Sequence, residues 1–158
     1  MGTSRDDIER LMFTYARCVD FADWTGLGAL FEHGSVRTNA GDDVVRGGEA
    51  VAGLWRRVNK VHEDGTLRTR HQLTNLIVDI DEAADRAVVD SYFVVFQQTR
   101  RLPLQPIAGG RYRDTFVRVD GTWRFEEKFI WVDQVGDVSD HLVIELDGAA
   151  SASPDPGR

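Results

Sequence analysis

Two residues of types suited to proton transfer stand out, Asp20 and His71, because the local sequence around each fixes where its side chain points. From Thr69 to Ile80 apolar and polar residues alternate with the two-residue period of a strand. That alternation puts His71, Leu73, Asn75 and Ile77 on one face and Gln72, Thr74, Leu76, Val78 and Ile80 on the other. Asp20 follows Ala16 and Val19 at the end of an amphipathic run, so it is expected near the mouth of any pocket that run helps to enclose. A carboxylate beside an imidazole selects one ring tautomer and leaves the second nitrogen ready to take or return a proton. Asn75, sharing the face of His71, is placed to orient a substrate oxygen or to hold the imidazole. The bland readings are a core histidine satisfied by a backbone carbonyl and a helix-terminal carboxylate, the capping role that Asp23 is expected to fill.

The elements that must position these groups follow from periodicity. Thr3 or Ser4 caps a helix that opens with Asp6 and Asp7 and carries an apolar stripe of Ile8, Leu11, Met12, Tyr15, Ala16 and Val19. Asp23 and Trp24 start a second, short helix with Leu27, Leu30 and Phe31. Residues 36–45 are polar and turn-rich, a short strand or hairpin, and Gly47-Gly48 introduces a third helix bearing Val51, Leu54, Trp55 and Val58. The period then changes to alternation over 69–80, 87–99, 110–119 and 122–135, four long strands. Asp120-Gly121 marks a tight hairpin, 81–85 another turn, and Pro103 and Pro106 a longer connection. Helices followed by a run of antiparallel strands is the α+β order. It implies one domain over residues 1–146, a curved sheet wrapped against the N-terminal helices with a pocket between them, and a disordered tail over 147–158 rich in Ser, Pro, Gly and Ala.

The order and spacing of Tyr15-x4-Asp20, Asp23-Trp24, Phe31, Thr69-Arg70-His71 with Asn75, Trp123-Arg124-Phe125 and Lys128 resemble the fold family of nuclear transport factor 2. Within it they are most similar to the polyketide-cyclase-like branch that includes scytalone dehydratase, bile-acid 7α-dehydratase and hexachlorocyclohexane dehydrochlorinase. The resemblance spans residues 5–142 and implies a cone-shaped α+β barrel of N-terminal helices on a strongly curved, mostly antiparallel sheet. It implies an aspartate–histidine dyad at Asp20 and His71, no cofactor, and pairing through the outer face of the sheet into a homodimer or higher oligomer such as a trimer. It also implies leaving-group roles for Tyr15 and for Lys128, the latter at a position that holds arginine in similar lyases. A lysine there can donate to an oxygen but lacks the planar fork of arginine. Alternation along the last strand puts Trp123, Phe125, Glu127 and Phe129 on one face and Arg124, Glu126, Lys128 and Ile130 on the other, which is rich in charge. Phe31, Trp55, Tyr112 and Trp131 are expected either to line a pocket for a hydrophobic ring system or simply to be core.

Composition excludes several classes. A net charge of −7 over 158 residues gives no basis for gripping phosphate backbones, so nucleic acid is not an expected partner. No apolar run approaches the roughly 20 residues of a membrane span, and the polar, acidic start is not a signal peptide. With a single cysteine, Cys18, the expected setting is a reducing cytoplasm. His33, His62 and His141 are read as surface or loop residues, too scattered with His71 to propose a metal site. There is no nucleophile elbow, phosphate loop, Rossmann glycine pattern or zinc-protease helix motif. The expectation is a cofactor-independent lyase of the dehydratase type, or an isomerase or cyclase, acting on a small apolar oxygenated molecule. The alternative is a non-catalytic ligand-binding or protein-interaction module on the same fold, in which Asp20 and His71 do not meet.

Overall fold

The computed structural model describes residues 2–144, and the expected tail at 147–158 lies outside them. Thr3 caps the first helix, α1 (Ser4–Asp20), by a reciprocal exchange: its hydroxyl accepts from the Asp6 amide at 3.3 Å and the Asp6 carboxylate accepts from the Thr3 amide at 2.7 Å. The stripe Ile8, Met12, Tyr15, Ala16 and Val19 is buried, and α1 packs against the first and last of the long strands. Asp23 caps α2 (Trp24–Leu30) by accepting from the Gly26 amide at 2.8 Å. A short hairpin, β1 (Ser35–Thr38) and β2 (Val44–Arg46), leads to α3 (Gly48–Val58). Gly47 supplies the positive φ of 84° at the entry to α3. Gly48 lets α3 lie against α2 so closely that a Cβ there would stand 2.1 Å from the Gly28 carbonyl oxygen. No helix among the described residues is long and apolar enough to cross a membrane.

Four long strands follow, β3 (Thr69–Asp81), β4 (Arg86–Gln97), β5 (Gln105–Val119) and β6 (Thr122–Val135). They form an antiparallel meander within a six-stranded sheet of order β2-β1-β6-β5-β4-β3, and β1 joins β6 in parallel. The α+β class expected from the sequence is the observed one. The largest boundary difference is in β5, which starts at Gln105 rather than 110, so Pro106 lies within a strand rather than in the connection before it. Proline is tolerated there because the ladder is already interrupted, with the register shifting between Val95 and Phe96 opposite it.

Two bulges decide what the sheet presents inward. In β3 the register shifts between Thr74 and Ile77, with Asn75 at φ 54°, a left-handed conformation asparagine accepts more readily than most residues. Inward positions run Thr69, His71 and Leu73 before the bulge and Leu76, Val78 and Ile80 after it. In β6 Phe125 pairs with Phe116 and Glu127 with Thr115, which leaves Glu126 as the extra residue and turns Lys128 onto the side of Trp123 and Phe125. Strict alternation placed Asn75 and Ile77 with His71, and Lys128 away from Phe125. Both assignments are corrected by these single-residue insertions.

The contact between α2 and α3 gives a stability prediction. Gly48→Ala must push two helices apart and is expected to lower the unfolding free energy by about 2 kcal/mol. Gly53→Ala, whose added methyl meets nothing closer than an Arg57 guanidinium nitrogen at 3.4 Å, is expected to stabilise α3 by roughly 0.5–1 kcal/mol. Urea denaturation of both variants checks the ranking, and a neutral Gly48→Ala would mean that the helices are not in close contact.

Candidate active site

Asp20, the last residue of α1, is 4% exposed, and its carboxylate faces the start of β3. Three donors converge on it: the Thr69 hydroxyl at 2.7 Å, the His71 amide at 3.0 and 3.2 Å, and the His71 ring nitrogen Nδ1 at 2.6 Å. The backbone is tied at the same point, because the amide of the fully buried Leu67 donates to the Asp20 carbonyl at 3.0 Å. Burial is the largest single influence on the Asp20 carboxyl and would raise its pKa. The hydrogen bond and charge of His71, with the Thr69 hydroxyl and the His71 amide, outweigh burial and hold it below the ordinary carboxylate value. An ionised carboxylate only accepts, so His71 Nδ1 is the donor in that contact and Nε2 is the ring nitrogen left for another partner.

A cavity of about 410 Å³ opens beside this pair. Phe13, Ala16 and Phe21 from the α1 side and Leu73 from β3 make its apolar wall, Asp20 and His71 its polar one, and Arg17 and Arg70 complete the lining. The structure thus brings Asp20 and His71 together, as the sequence led us to expect, but in a groove between α1 and β3.

The other expected residues lie elsewhere. Tyr15 is buried in the core, edge-on to Phe31, Trp55 and Tyr112 at centroid distances of 6.1, 6.4 and 6.1 Å. Burial, reinforced by the Asp114 charge, raises its hydroxyl far above the ordinary phenol value, so it stays protonated. Phe31, Trp55 and Tyr112 therefore pack around Tyr15 and are absent from the lining of the cavity beside the dyad. Trp131, paired in register with Arg111, lies on the opposite face of the sheet from Tyr112, with its ring 3.7 Å from Phe129 and the Arg111 guanidinium carbon 5.2 Å away. Asn75 is exposed on its bulge and does not line the cavity.

Lys128 is fully buried rather than solvated, and its ammonium meets both oxygens of a fully buried Asp114 at 3.1 Å. Three rings surround it, Tyr112 at 3.4 Å, Tyr15 at 4.3 Å and Phe125 at 5.8 Å from the nitrogen to the centroid. Burial lowers the Lys128 pKa and raises that of Asp114, each against the pull of its partner. Asp114 was missed from the sequence, although Tyr112-x-Asp114-x-Phe116 shows an acid alternating with two aromatics on an inward face. His141, read as a surface or loop residue, lies in a turn but is buried. It is 7% exposed, its ring centroid lies 6.4 Å from that of His71, and its buried Nδ1 has no hydrogen-bond partner among the described residues. Burial, with the nearby His71 charge, depresses its pKa to about 3, so it is neutral. No periodicity in residues 136–144 signals this. The segment folds back through backbone bonds from Lys60 to His141 and from Val143 to Val58.

The model of the SnoaL-like domain matches residues 2–128. The chain belongs to the SnoaL-like family. No functionally curated protein matches it. Solved structures similar to this SnoaL-like chain include a Novosphingobium aromaticivorans protein named provisionally as a scytalone dehydratase, with a TM-score of 0.67, 25% identity, and 92% of this chain and 90% of that one covered. A protein of unknown function with a cystatin-like fold from Nostoc punctiforme has a TM-score of 0.70 at 20% identity, over 87% and 97% of the two chains. The hexachlorocyclohexane dehydrochlorinase of Novosphingobium barchaimii has a TM-score of 0.65 at 20% identity, over 84% and 88%. The fold expected from the spacing of Asp20, His71 and their neighbours is therefore the fold of this SnoaL-like domain. The matched segment contains Asp20, His71 and the Asp114–Lys128 pair and ends before His141.

The buried ion pair and the buried His141 can each be tested through stability. Lys128→Met leaves Asp114 without its partner and is expected to cost about 3–5 kcal/mol, whereas the double variant Lys128→Met/Asp114→Leu recovers most of that loss. Equal losses in denaturant melts of the single and double variants would show that the pair is not coupled. His141 has a folded pKa of about 3 against 6.5 when unfolded, so the unfolded chain binds the proton first as pH falls. Its contribution is full above pH 6.5 and is lost progressively towards pH 3, about 2 kcal/mol of it by pH 5. His141→Phe should flatten that part of the stability profile, and an unchanged acid slope in the variant would refute the assignment.

Proposed function

We propose that this SnoaL-like domain is a cofactor-independent lyase of the dehydratase type, acting on a small, largely apolar, oxygenated molecule held in the cavity beside Asp20 and His71. One observation carries the reading: a 2.6 Å contact between Asp20 and His71 Nδ1 at the wall of a cavity of about 410 Å³. His71 Nε2 takes a proton from a carbon next to an activating group, and Asp20 holds the resulting imidazolium in place. As the carbon–oxygen bond breaks, its electron pair leaves with the hydroxyl oxygen, the pair released from the carbon–hydrogen bond forms the new double bond, and the imidazolium returns its proton so that water departs. Isomerisation uses the same base, with the proton returned to a second carbon instead. Tyr15 and Lys128 act in this scheme through packing, by fixing the face of α1 from which Asp20 projects.

The binding-module alternative expects Asp20 and His71 apart, and their contact weighs against it. The test is a panel of apolar β-hydroxy ketones and acids, followed by loss of one water in the mass spectrum and by deuterium uptake at the carbon next to the carbonyl. His71→Gln is expected to reduce turnover by about 10²–10⁴-fold with an unchanged circular dichroism spectrum. Asp20→Asn is expected to give a loss in the same range together with some loss of stability, since the amide no longer answers three donors as well. Near-normal turnover or deuterium uptake by His71→Gln would sink the proposal.

A further inference from the structure

We propose that the dyad cavity selects an apolar molecule bearing a carboxylate, which Arg17 and Arg70 hold at its rim; the inference rests on the cavity being the substrate site. The two arginines belong to the same elements as the dyad, Arg17 three residues before Asp20 on α1 and Arg70 next to His71 on β3. Both line the cavity, and their guanidinium carbons lie 5.9 and 5.2 Å from the centroid of Phe21 between them. Phe21 is itself 47% exposed, so this rim is open to an arriving molecule.

Neither guanidinium makes an ion pair among the described residues, in contrast with Arg118 on Glu82 and Asp85 or Arg113 on Asp90. Arg70 spends one donor on the Thr69 carbonyl at 2.6 Å. Asp20 pairs directly with neither of them, its oxygens being engaged by Thr69 and His71. The wall thus carries two cations against one committed anion, a local positive excess on a protein of net charge −7. A guanidinium fork matches the two oxygens of a carboxylate. The remaining lining, Phe13, Ala16 and Leu73, is apolar, which fits a hydrocarbon body behind that head group. At about 410 Å³ the space suits a molecule of one or two rings.

The test needs no turnover. Titration of the protein with 2-naphthoate and with its neutral counterpart 2-naphthamide, followed by calorimetry and by shifts of the amide resonances of Arg17, Phe21 and Arg70, compares anion with isostere. Naphthoate is expected to bind at least tenfold more tightly, with affinity falling as salt is raised. The double variant Arg17→Gln/Arg70→Gln should erase the preference, and His71→Gln should retain it. Equal binding of acid and amide, no binding of naphthoate at millimolar concentration, shifts mapping elsewhere, or a preference surviving in the double variant would each overturn the inference. An anion preference without His71-dependent turnover would sink the dyad reading alone, and His71-dependent turnover without the preference would sink this one alone.

Discussion

The Asp20 carboxylate is the joint between α1 and the edge of the sheet. It ends the helix, yet its partners are all on β3: the Thr69 hydroxyl and the amide and ring of His71. The approach of the Leu67 amide to the Asp20 carbonyl adds a main-chain tie at the same point. A buried carboxylate left short of donors would be costly, so the helix end and strand start must keep this geometry for the fold to stand. The interaction that selects the His71 tautomer is therefore also the one that sets the angle of α1 on the sheet. On the proposed reading, stability and proton chemistry share the same atoms.

A second constraint is how the sheet changes face. Without the insertion at Asn75, one register would send either His71 or the Leu76, Val78 and Ile80 set outward. The bulge lets both face in. In β6 the insertion at Glu126 does the same for Phe125 and Lys128. A bulge of this kind also bends its strand, and α1 packs against both of the bulged strands, β3 and β6.

These features set how far the sequence could be read. The elements and their order were legible because their hydrophobic periods are long and clean, and the caps Thr3 and Asp23 were legible from local chemistry. Asp20 and His71 were found because both lie before any bulge, where helical and strand periods still hold. Asn75 and Lys128 were misplaced because a one-residue insertion leaves no trace in composition. Asp114 was within reach of the alternation from Tyr112 to Phe116. His141 was not: it reaches His71 through a non-periodic segment whose path depends on pairing with the end of α3. Phe31, Trp55 and Tyr112 were read either as pocket lining or as core, and periodicity alone could not choose; with Tyr15 they fill the space between helix and sheet themselves.

That filling bears on the chemistry. With Tyr15 protonated in the core and Lys128 committed to Asp114, neither of the groups expected to assist a leaving oxygen reaches the cavity. Among the residues that line it, Arg17 and Arg70 offer only hydrogen-bond donors. Asp20 is ionised and saturated. His71 Nε2 is left as the group able both to accept and to return a proton. On the proposed reading a single nitrogen serves both steps, so the proton removed and the oxygen expelled must lie on the same side of the substrate. Anchoring one end of that substrate at the arginine rim would present both positions to His71 in one orientation, which is the service a one-base site most needs from its binding groups.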